Sequence, residues 1–140
     1  RRPERRRRVR CAGFPSGLDV AVRRAVERTL VRLACPRLAL DVHAVDPATM
    51  AALNARHRGR RGPTDVLTFP APDADGAIGD VVLCLPAVRR RAVALRRPWR
   101  RWLEVLAVHG TLHALGFHHG DTEAAGLMFS IQQACARNPR

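Results

Sequence analysis

The sequence contains no lysine, so all 25 of its cationic side chains are arginines, and 12 acidic residues leave a formal net charge of +13. This excess of positive charge favours a polyanionic partner. Guanidinium groups pair bidentately with phosphate, and nucleic acids bind more tightly to proteins that neutralise their backbone charge. A membrane surface is the weaker alternative, since the basic runs do not coincide with a strongly hydrophobic face. Any single basic cluster is also compatible with an ordinary solvated surface.

Long apolar runs, Cys-x-x-Cys pairs and internal repeats are also absent. No stretch of about 18 residues is apolar enough to span a bilayer and no hydrophobic signal core is visible, so we expect no membrane partner and a cytoplasmic location. The four cysteines, at positions 11, 35, 84 and 135, are scattered. Such spacing is typical of reduced thiols in a cytosolic protein, which argues against a disulfide framework or cysteine zinc ligands.

The length of 140 residues predicts a single domain, residues 1–140, with a sizeable buried core. Residues 1–8 form a basic arm that is either a frayed, disordered terminus or an RNA-facing segment. Alternating apolar residues and turn signals predict strands at residues 8–12, 38–45, 66–69 and 78–83. The order of strands and helices predicts an α+β fold, with a single mixed sheet of about four strands covered by helices.

Capping signals place the helices. Ser16 followed by Asp19 predicts a capping-box start for the first helix, which ends before Pro36. Asp46 and Pro47 start a second helix that runs to about residue 56. Further helices are predicted at residues 86–95, through the segment 102–115, and from Asp121 onward.

Three histidines in the segment 102–121 form the strongest chemical pattern. His109 and His113 are four residues apart on an amphipathic helix, which points both imidazoles the same way from adjacent turns. Gly116 then ends the helix and lets His119 return toward the pair. Three neutral nitrogens with an open fourth position are typical of a catalytic zinc site, which lowers the pKa of bound water to about 7. The spacing therefore predicts one Zn²⁺ per chain, although three imidazoles also suit nickel or copper.

The residue after the first histidine narrows the reaction class. Zinc proteases of the H-E-x-x-H type carry a glutamate there as the general base, whereas this chain has Gly110. A glycine inside a helix costs roughly 1 kcal/mol relative to alanine, so we expect it to make room for a substrate or another backbone. A peptidase would lack its proton acceptor but stays an alternative.

Three blocks carry a resemblance to a known family. The segment HGTLHALGFHH, residues 109–119, resembles the H-G-x-L-H-L-x-G-x-D-H signature of the YbeY family of single-strand-specific endoribonucleases. LNARHR at residues 53–58 and PTDVLTFP at 63–70 are similar to that family's L-N-x-x-[YF]-R and P-T-D-V-L-S-F-P segments. Gly79-Asp80-Val81 resembles its G-D-I strand. The blocks occur in family order, and the flanking elements extend the likeness to nearly the whole chain.

The resemblance implies a metzincin-like core and a metal-dependent endoribonuclease acting on single-stranded RNA. It further implies a setting in ribosomal RNA maturation, at the 3′ end of the small-subunit RNA, and in ribosome quality control. The small ribosomal subunit or its assembly factors are then the expected partners. A zinc hydrolase of another substrate, such as a peptidase, and a non-catalytic ribosome-associated RNA-binding factor remain alternatives.

The resemblance also suggests residue roles. Arg58 matches an arginine that the family marks as functionally important, and its guanidinium could bind the scissile phosphate; the alternative is a loop-bracing pair with Asp65. Asp65 and Asp80 are candidates to orient a metal-binding histidine by accepting its ring N–H, although each could be a turn or strand-end residue. Three further arginines are candidate RNA-binding residues that would line the approach to the site: Arg56, Arg60 and Arg61.

Two departures from the family pattern matter. His118 stands where the family usually has aspartate, so two neighbouring histidines compete for the third ligand position. Spacing favours His119, which leaves His118 as a candidate catalytic proton shuttle because its unperturbed pKa lies near neutrality. The last predicted helix, at Ser130-Ile131-Gln132, lacks an acidic residue common in relatives. His43 is interpreted as a structural or surface residue.

Overall fold

The structure is a computed structural model, and it describes residues 8–117 of the chain. The chain order of the elements is β1 (Val9–Ala12), α1 (Leu18–Arg32), β2 (Ala39–Ala44), α2 (Pro47–Arg58), β3 (Val66–Pro70), β4 (Ala77–Leu83), α3 (Leu85–Ala94) and α4 (Trp99–Ala114). The basic arm before residue 8, His118, His119 and the helix predicted from Asp121 lie outside the described residues.

The four strands form one sheet in the order β1-β2-β4-β3. β1 pairs parallel with β2, β2 pairs parallel with β4, and β3 pairs antiparallel with β4. The β3–β4 pair is the hairpin that the Pro/Asp/Gly turn predicts, and the helices provide the crossovers that parallel strands require. The expected α+β architecture with a single mixed sheet is therefore confirmed.

The two faces of the sheet have different roles, because successive side chains on a strand point to opposite sides. Leu40 and Val42 of β2 and Val81 of β4 are buried in the main core with residues of α1 and α4. On the opposite face, Met50 of α2 packs with Leu67 of β3 in a smaller cluster. The sheet thus separates α4, which carries the predicted metal ligands, from the apolar side of α2.

The beginnings of the first two helices show one wrong and one confirmed capping prediction. α1 has Gly17 at its N-cap, with no side-chain capping bond, so Ser16 stands one residue too early to reach the free amides. Asp19 instead accepts a hydrogen bond from the Gly17 amide at 3.2 Å. At α2 the predicted cap is present, since the Asp46 carboxylate accepts from the Thr49 amide at 2.7 Å.

Three of the four cysteines lie in the described part of the chain, and all three are free thiols: Cys11, Cys35 and Cys84. Burial raises the pKa of Cys11 to about 11 and also raises the pKa of Cys35, which disfavours the reactive thiolate form of both side chains. The fourth cysteine is outside the described residues. Within residues 8–117, none of the helices has the length and apolarity needed to cross a bilayer.

Candidate active site

The paired imidazoles on the last turns of α4 are the centre of the candidate site. The ring centroids of His109 and His113 are 4.3 Å apart, and the ring planes meet at 65°. Both side chains are half-buried, on a helix whose opposite side is packed in the core. Two imidazoles at this spacing, each with nitrogen donors, suit a divalent transition ion. The structure therefore brings these two predicted ligands together.

A Schellman motif ends α4 immediately after the second histidine. The Gly116 amide donates to the His113 carbonyl at 3.0 Å, and the Phe117 amide donates to the Leu112 carbonyl at 3.0 Å. Gly116 has a positive φ of 96°, which reverses the chain direction. The bend that the sequence predicted before His119 is therefore present, while the third ligand and the neighbouring His118 stay predictions.

Gly110 allows α4 to lie directly on the sheet. A Cβ at this position would stand 2.6 Å from Val81 Cγ1 and 3.2 Å from Thr68 Oγ1. The Thr68 hydroxyl also donates to the Gly110 carbonyl at 3.3 Å. The sequence predicted room for a substrate or another backbone here. The space is instead taken by side chains of β3 and β4, because the helix packs across this edge of the sheet.

Arg58, the predicted phosphate-binding residue, is the last residue of α2 and is exposed. The helix ends there because Gly59 adopts the left-handed conformation, with φ of 64°. The His57 ring lies 4.5 Å from the Phe69 ring of β3, which holds this helix end against the edge strand. Among the described residues, Asp65 forms no salt bridge with Arg58, so the loop-bracing alternative is not seen in this structure.

The loop after α2 is tied back to the helix by one buried side chain. Asn54 is 4% exposed, and its Nδ2 donates to the Gly62 carbonyl at 2.9 Å. This bond fixes the loop that carries two of the predicted RNA-binding arginines. The three predicted RNA-binding residues are all exposed, namely Arg56, Arg60 and Arg61. Their contacts with RNA stay predictions.

The two predicted orienting carboxylates have other partners in this structure. Asp65 accepts from the Val66 amide at 2.9 Å, so its side chain fixes the start of β3. Asp80 lies on β4 and pairs with His43 Nε2 at 2.8 Å. Asp65 thus has the strand-end role that was its alternative, whereas Asp80 lies in the middle of β4 and not at a turn or strand end. A role of either carboxylate toward the metal-binding histidines stays a prediction.

A second group of side chains that could hold a metal ion lies on β2 and β4. One ligand atom from each of Asp41, His43 and Asp80 lies within 4.8 Å of the others. Arg10 already binds both oxygens of Asp41, at 2.9 and 3.0 Å, and this carboxylate raises the arginine pKa. An ion bound by this group would therefore compete with a guanidinium for one of its ligands.

No pattern in the sequence predicted this second group, because its members come from strands that are distant in the chain. The Asp41-x-His43 spacing does place both side chains on one face of β2. The pairing with Asp80 depends on β4 lying beside β2, and no local signal in the sequence gives that strand order.

Comparison with known proteins identifies the family. The model of the family described as Endoribonuclease YbeY matches residues 15–138. The chain belongs to the YbeY family. A YbeY endoribonuclease from Persephonella marina is 34% identical over 125 residues, covering 85% of this chain and 82% of the relative. One from Synechococcus sp. is 38% identical over 113 residues, covering 75% and 68%.

Coverage varies among the YbeY relatives. The protein from Frankia casuarinae is 37% identical over 110 residues, which is 69% of this chain but 55% of the relative. The solution structure of TM1509 from Thermotoga maritima superposes with a TM-score of 0.67 at 26% identity, covering 91% of this chain and 86% of that one. Family membership supports an endoribonuclease role, and a metal site is supported by the side chains described above.

Proposed function

We propose that this chain is a metal-dependent endoribonuclease that cleaves single-stranded RNA. Its setting in this proposal is the cytoplasm, in maturation of the 3′ end of small-subunit ribosomal RNA and in ribosome quality control. The small ribosomal subunit or its assembly factors are the proposed partners. The observation that carries the proposal is the imidazole pair of His109 and His113, followed at once by a chain reversal.

The proposed metal is one zinc ion per chain, held by His109, His113 and His119. The ion would act as a Lewis acid that activates water near neutral pH and polarises the scissile phosphoryl group. The protein contributes two imidazoles with fixed backbone positions, because both lie on regular helix just before the Schellman bend. Their half-buried position limits competition from bulk water.

Arg58 is the proposed phosphate-binding residue of the site. Its guanidinium is exposed at the end of α2, and no described carboxylate competes with a substrate oxygen for its N–H groups. A guanidinium placed where negative charge grows stabilises the transition state more than the ground state. The contact between His57 and Phe69 holds this helix end beside β3, whose other face contacts α4.

The first test is cleavage of an unstructured RNA by the metal-loaded protein. Arg58→Ala should lower kcat by about 10²- to 10³-fold, the usual loss when one charge-stabilising donor is removed. The matched control is Arg37→Ala, which removes another exposed arginine, from the connection between α1 and β2. Equal rates for both variants would contradict the role of Arg58, and intact RNA with a fully loaded wild-type protein would contradict the proposed activity.

The second test separates the two possible metal sites. Metal content should fall from about one ion per chain to well below that in His113→Ala, because a three-nitrogen site loses one ligand. His43→Ala is the matched control, since it removes a histidine from the group on β2 and β4. Circular dichroism would confirm that both variants fold. If His43→Ala lost the metal and His113→Ala kept it, the ion would be bound by the group on β2 and β4, on the other face of the sheet.

A further inference from the structure

The segment that joins α3 to α4 carries an unusual concentration of positive charge. No acidic residue occurs between Asp80 and Glu104 in the sequence. The same stretch contains seven arginines, and all of them are exposed: Arg89, Arg90, Arg91, Arg96, Arg97, Arg100 and Arg101. We refer to residues 89–102 as the α3–α4 corner. Seven like charges supply more than half of the formal net charge of +13.

Both tryptophans of the chain lie in this corner and organise part of the charge. The guanidinium carbon of Arg89 is 4.3 Å from the centre of the Trp99 ring, and that of Arg100 is 5.6 Å from the same ring. Arg97 lies 5.7 Å from the Trp102 ring. Such cation–π contacts hold a planar guanidinium against the ring while its N–H groups stay available at the edges.

The charge of the corner is scarcely balanced within the described residues. Within residues 8–117, none of its seven arginines forms an ion pair shorter than 4.0 Å. The nearest acid in sequence, Glu104, pairs with Arg28 at 3.7 Å and also feels the charge of Arg101. Crowded like charges repel one another, and a bound polyanion relieves this repulsion.

We propose that the α3–α4 corner binds the phosphate backbone of RNA at a surface separate from the cleavage site. Trp99 is ten positions before His109 on the same helix, which places the two sites about 15 Å apart along the helix axis. An RNA strand held at the corner can therefore extend to the histidines. The identity of the polyanion as RNA rests on the proposed function.

An anionic membrane is the less suitable partner for this surface. The exposed large apolar side chains of the corner are Val93 and Leu95, at 78% and 42% exposure. Two apolar side chains do not form the continuous apolar face that an interfacial helix inserts into a bilayer. Planar guanidinium groups held on aromatic rings instead match the geometry of phosphate oxygens.

Intrinsic tryptophan fluorescence tests the proposal directly, because the chain has two tryptophans and both lie in the corner. Titration of an oligouridine, with a chelator present to prevent cleavage, should change the tryptophan emission of the wild-type protein. The same change should occur in Arg58→Ala. This design separates the two proposals, since binding is measured whether or not the protein cleaves RNA.

A triple variant, Arg89→Gln, Arg97→Gln and Arg100→Gln, should bind the oligouridine about 10- to 100-fold more weakly at 0.1 M salt, as expected for the loss of two or three phosphate contacts. The slope of log K against log salt concentration should fall by about 2, since each contact to a single strand contributes about 0.7. The matched control removes three exposed arginines elsewhere: Arg8→Gln, Arg32→Gln and Arg37→Gln.

The control variant has the same net charge as the triple variant, so a general effect of charge would weaken binding equally in both. Equal affinity of the two variants would overturn the proposal, as would an unchanged tryptophan signal when RNA binds. A larger emission change with vesicles of phosphatidylglycerol than with RNA would assign the corner to membranes and also overturn it. Thermal unfolding of each variant confirms that the arginine changes leave the fold intact.

Discussion

At the scale of single residues, Gly110 shows how close packing can override helix propensity. Alanine would favour an isolated helix by about 1 kcal/mol. Its Cβ, however, would stand 2.6 Å from Val81 Cγ1, and α4 would have to move away from the sheet. We expect Gly110→Ala to lower the free energy of unfolding by about 1–3 kcal/mol, the usual cost of overpacking. Urea denaturation measures this change.

Val81→Ala offers a matched test of the cause, because it removes the methyl groups that the new Cβ would meet. The double variant should be more stable than the sum of the two single changes predicts, which a double-mutant cycle would detect. Additive losses, or a stabilising Gly110→Ala, would show that α4 does not depend on this close approach.

Asp46 links the stability of α2 to pH. The amide of Thr49 donates to its carboxylate and lowers its pKa below the ordinary 3.8. The capping bond therefore stabilises the fold fully at pH values above the pKa that the Asp46 carboxyl has in the unfolded chain. This stabilisation is lost as the pH falls through the lower pKa of the folded state. We expect Asp46→Ala to lower Tm by a few degrees at pH 7. The difference from wild type should shrink below about pH 4.

Asp46→Asn is the control for this pH effect, because asparagine keeps the accepting oxygen but has no carboxyl group to titrate. Its Tm should stay near that of wild type at neutral pH. A difference between wild type and Asp46→Ala that is equally large at pH 3 and pH 7 would contradict the role of the ionised cap.

The residue pattern was sufficient to predict the imidazole pair and the bend after it, because both depend on spacing within one helix. His109 and His113 meet because a four-residue step returns to the same face, and Gly116 turns the chain because it tolerates positive φ. The structural reason for Gly110 was not predictable, since the neighbours that exclude a side chain belong to two strands far away in the sequence.

At the scale of secondary structure elements, the end of α4 connects fold and site. Gly116 has φ of 96°, and no described residue lies within 4 Å of the place that a Cβ would take, so alanine there is disfavoured by the backbone conformation, at a cost of about 1–2 kcal/mol. We expect Gly116→Ala to lower stability by that amount and to weaken metal binding, because the chain would leave the helix in another direction. Isothermal titration with zinc measures the affinity.

Gly59→Ala is the matched variant for Gly116→Ala, because Gly59 also has positive φ and open space, but at the end of α2. It should lower stability by a similar amount and leave the zinc affinity unchanged. Equal zinc affinity in both variants would show that zinc binding does not depend on the bend at the end of α4.

The strands and helices themselves were largely predictable, whereas their arrangement was not. Alternating apolar residues and turn residues predicted all four described strands, and the cap at Asp46 predicted the start of α2. The placement of β4 between β2 and β3 depends on contacts between distant segments. That order creates the group of Asp41, His43 and Asp80, which explains why sequence analysis interpreted His43 only as a structural or surface residue.

At the scale of the whole molecule, the formal net charge of +13 affects stability as well as binding. Repulsion among exposed arginines destabilises the folded chain, and salt screens it. We expect Tm of the free protein to rise as sodium chloride increases from low concentration to about 0.15 M, where the Debye length is about 8 Å. The Arg89, Arg97 and Arg100 triple glutamine variant should show a smaller rise, and an equal one would contradict this origin.

The central position of β4 also has a consequence for how the chain folds. The β3–β4 hairpin joins neighbouring segments, and β2 pairs with the preceding β1, but β2 meets its second partner, β4, only after the chain has extended about forty residues further, from Leu40 to Gly79. Pairing across such a separation slows folding, because loop entropy is lost before contacts compensate for it. During synthesis, the sheet can therefore close only when β4 has left the ribosome, and the helix with the paired histidines, which follows β4 in the chain, is made after all four strands.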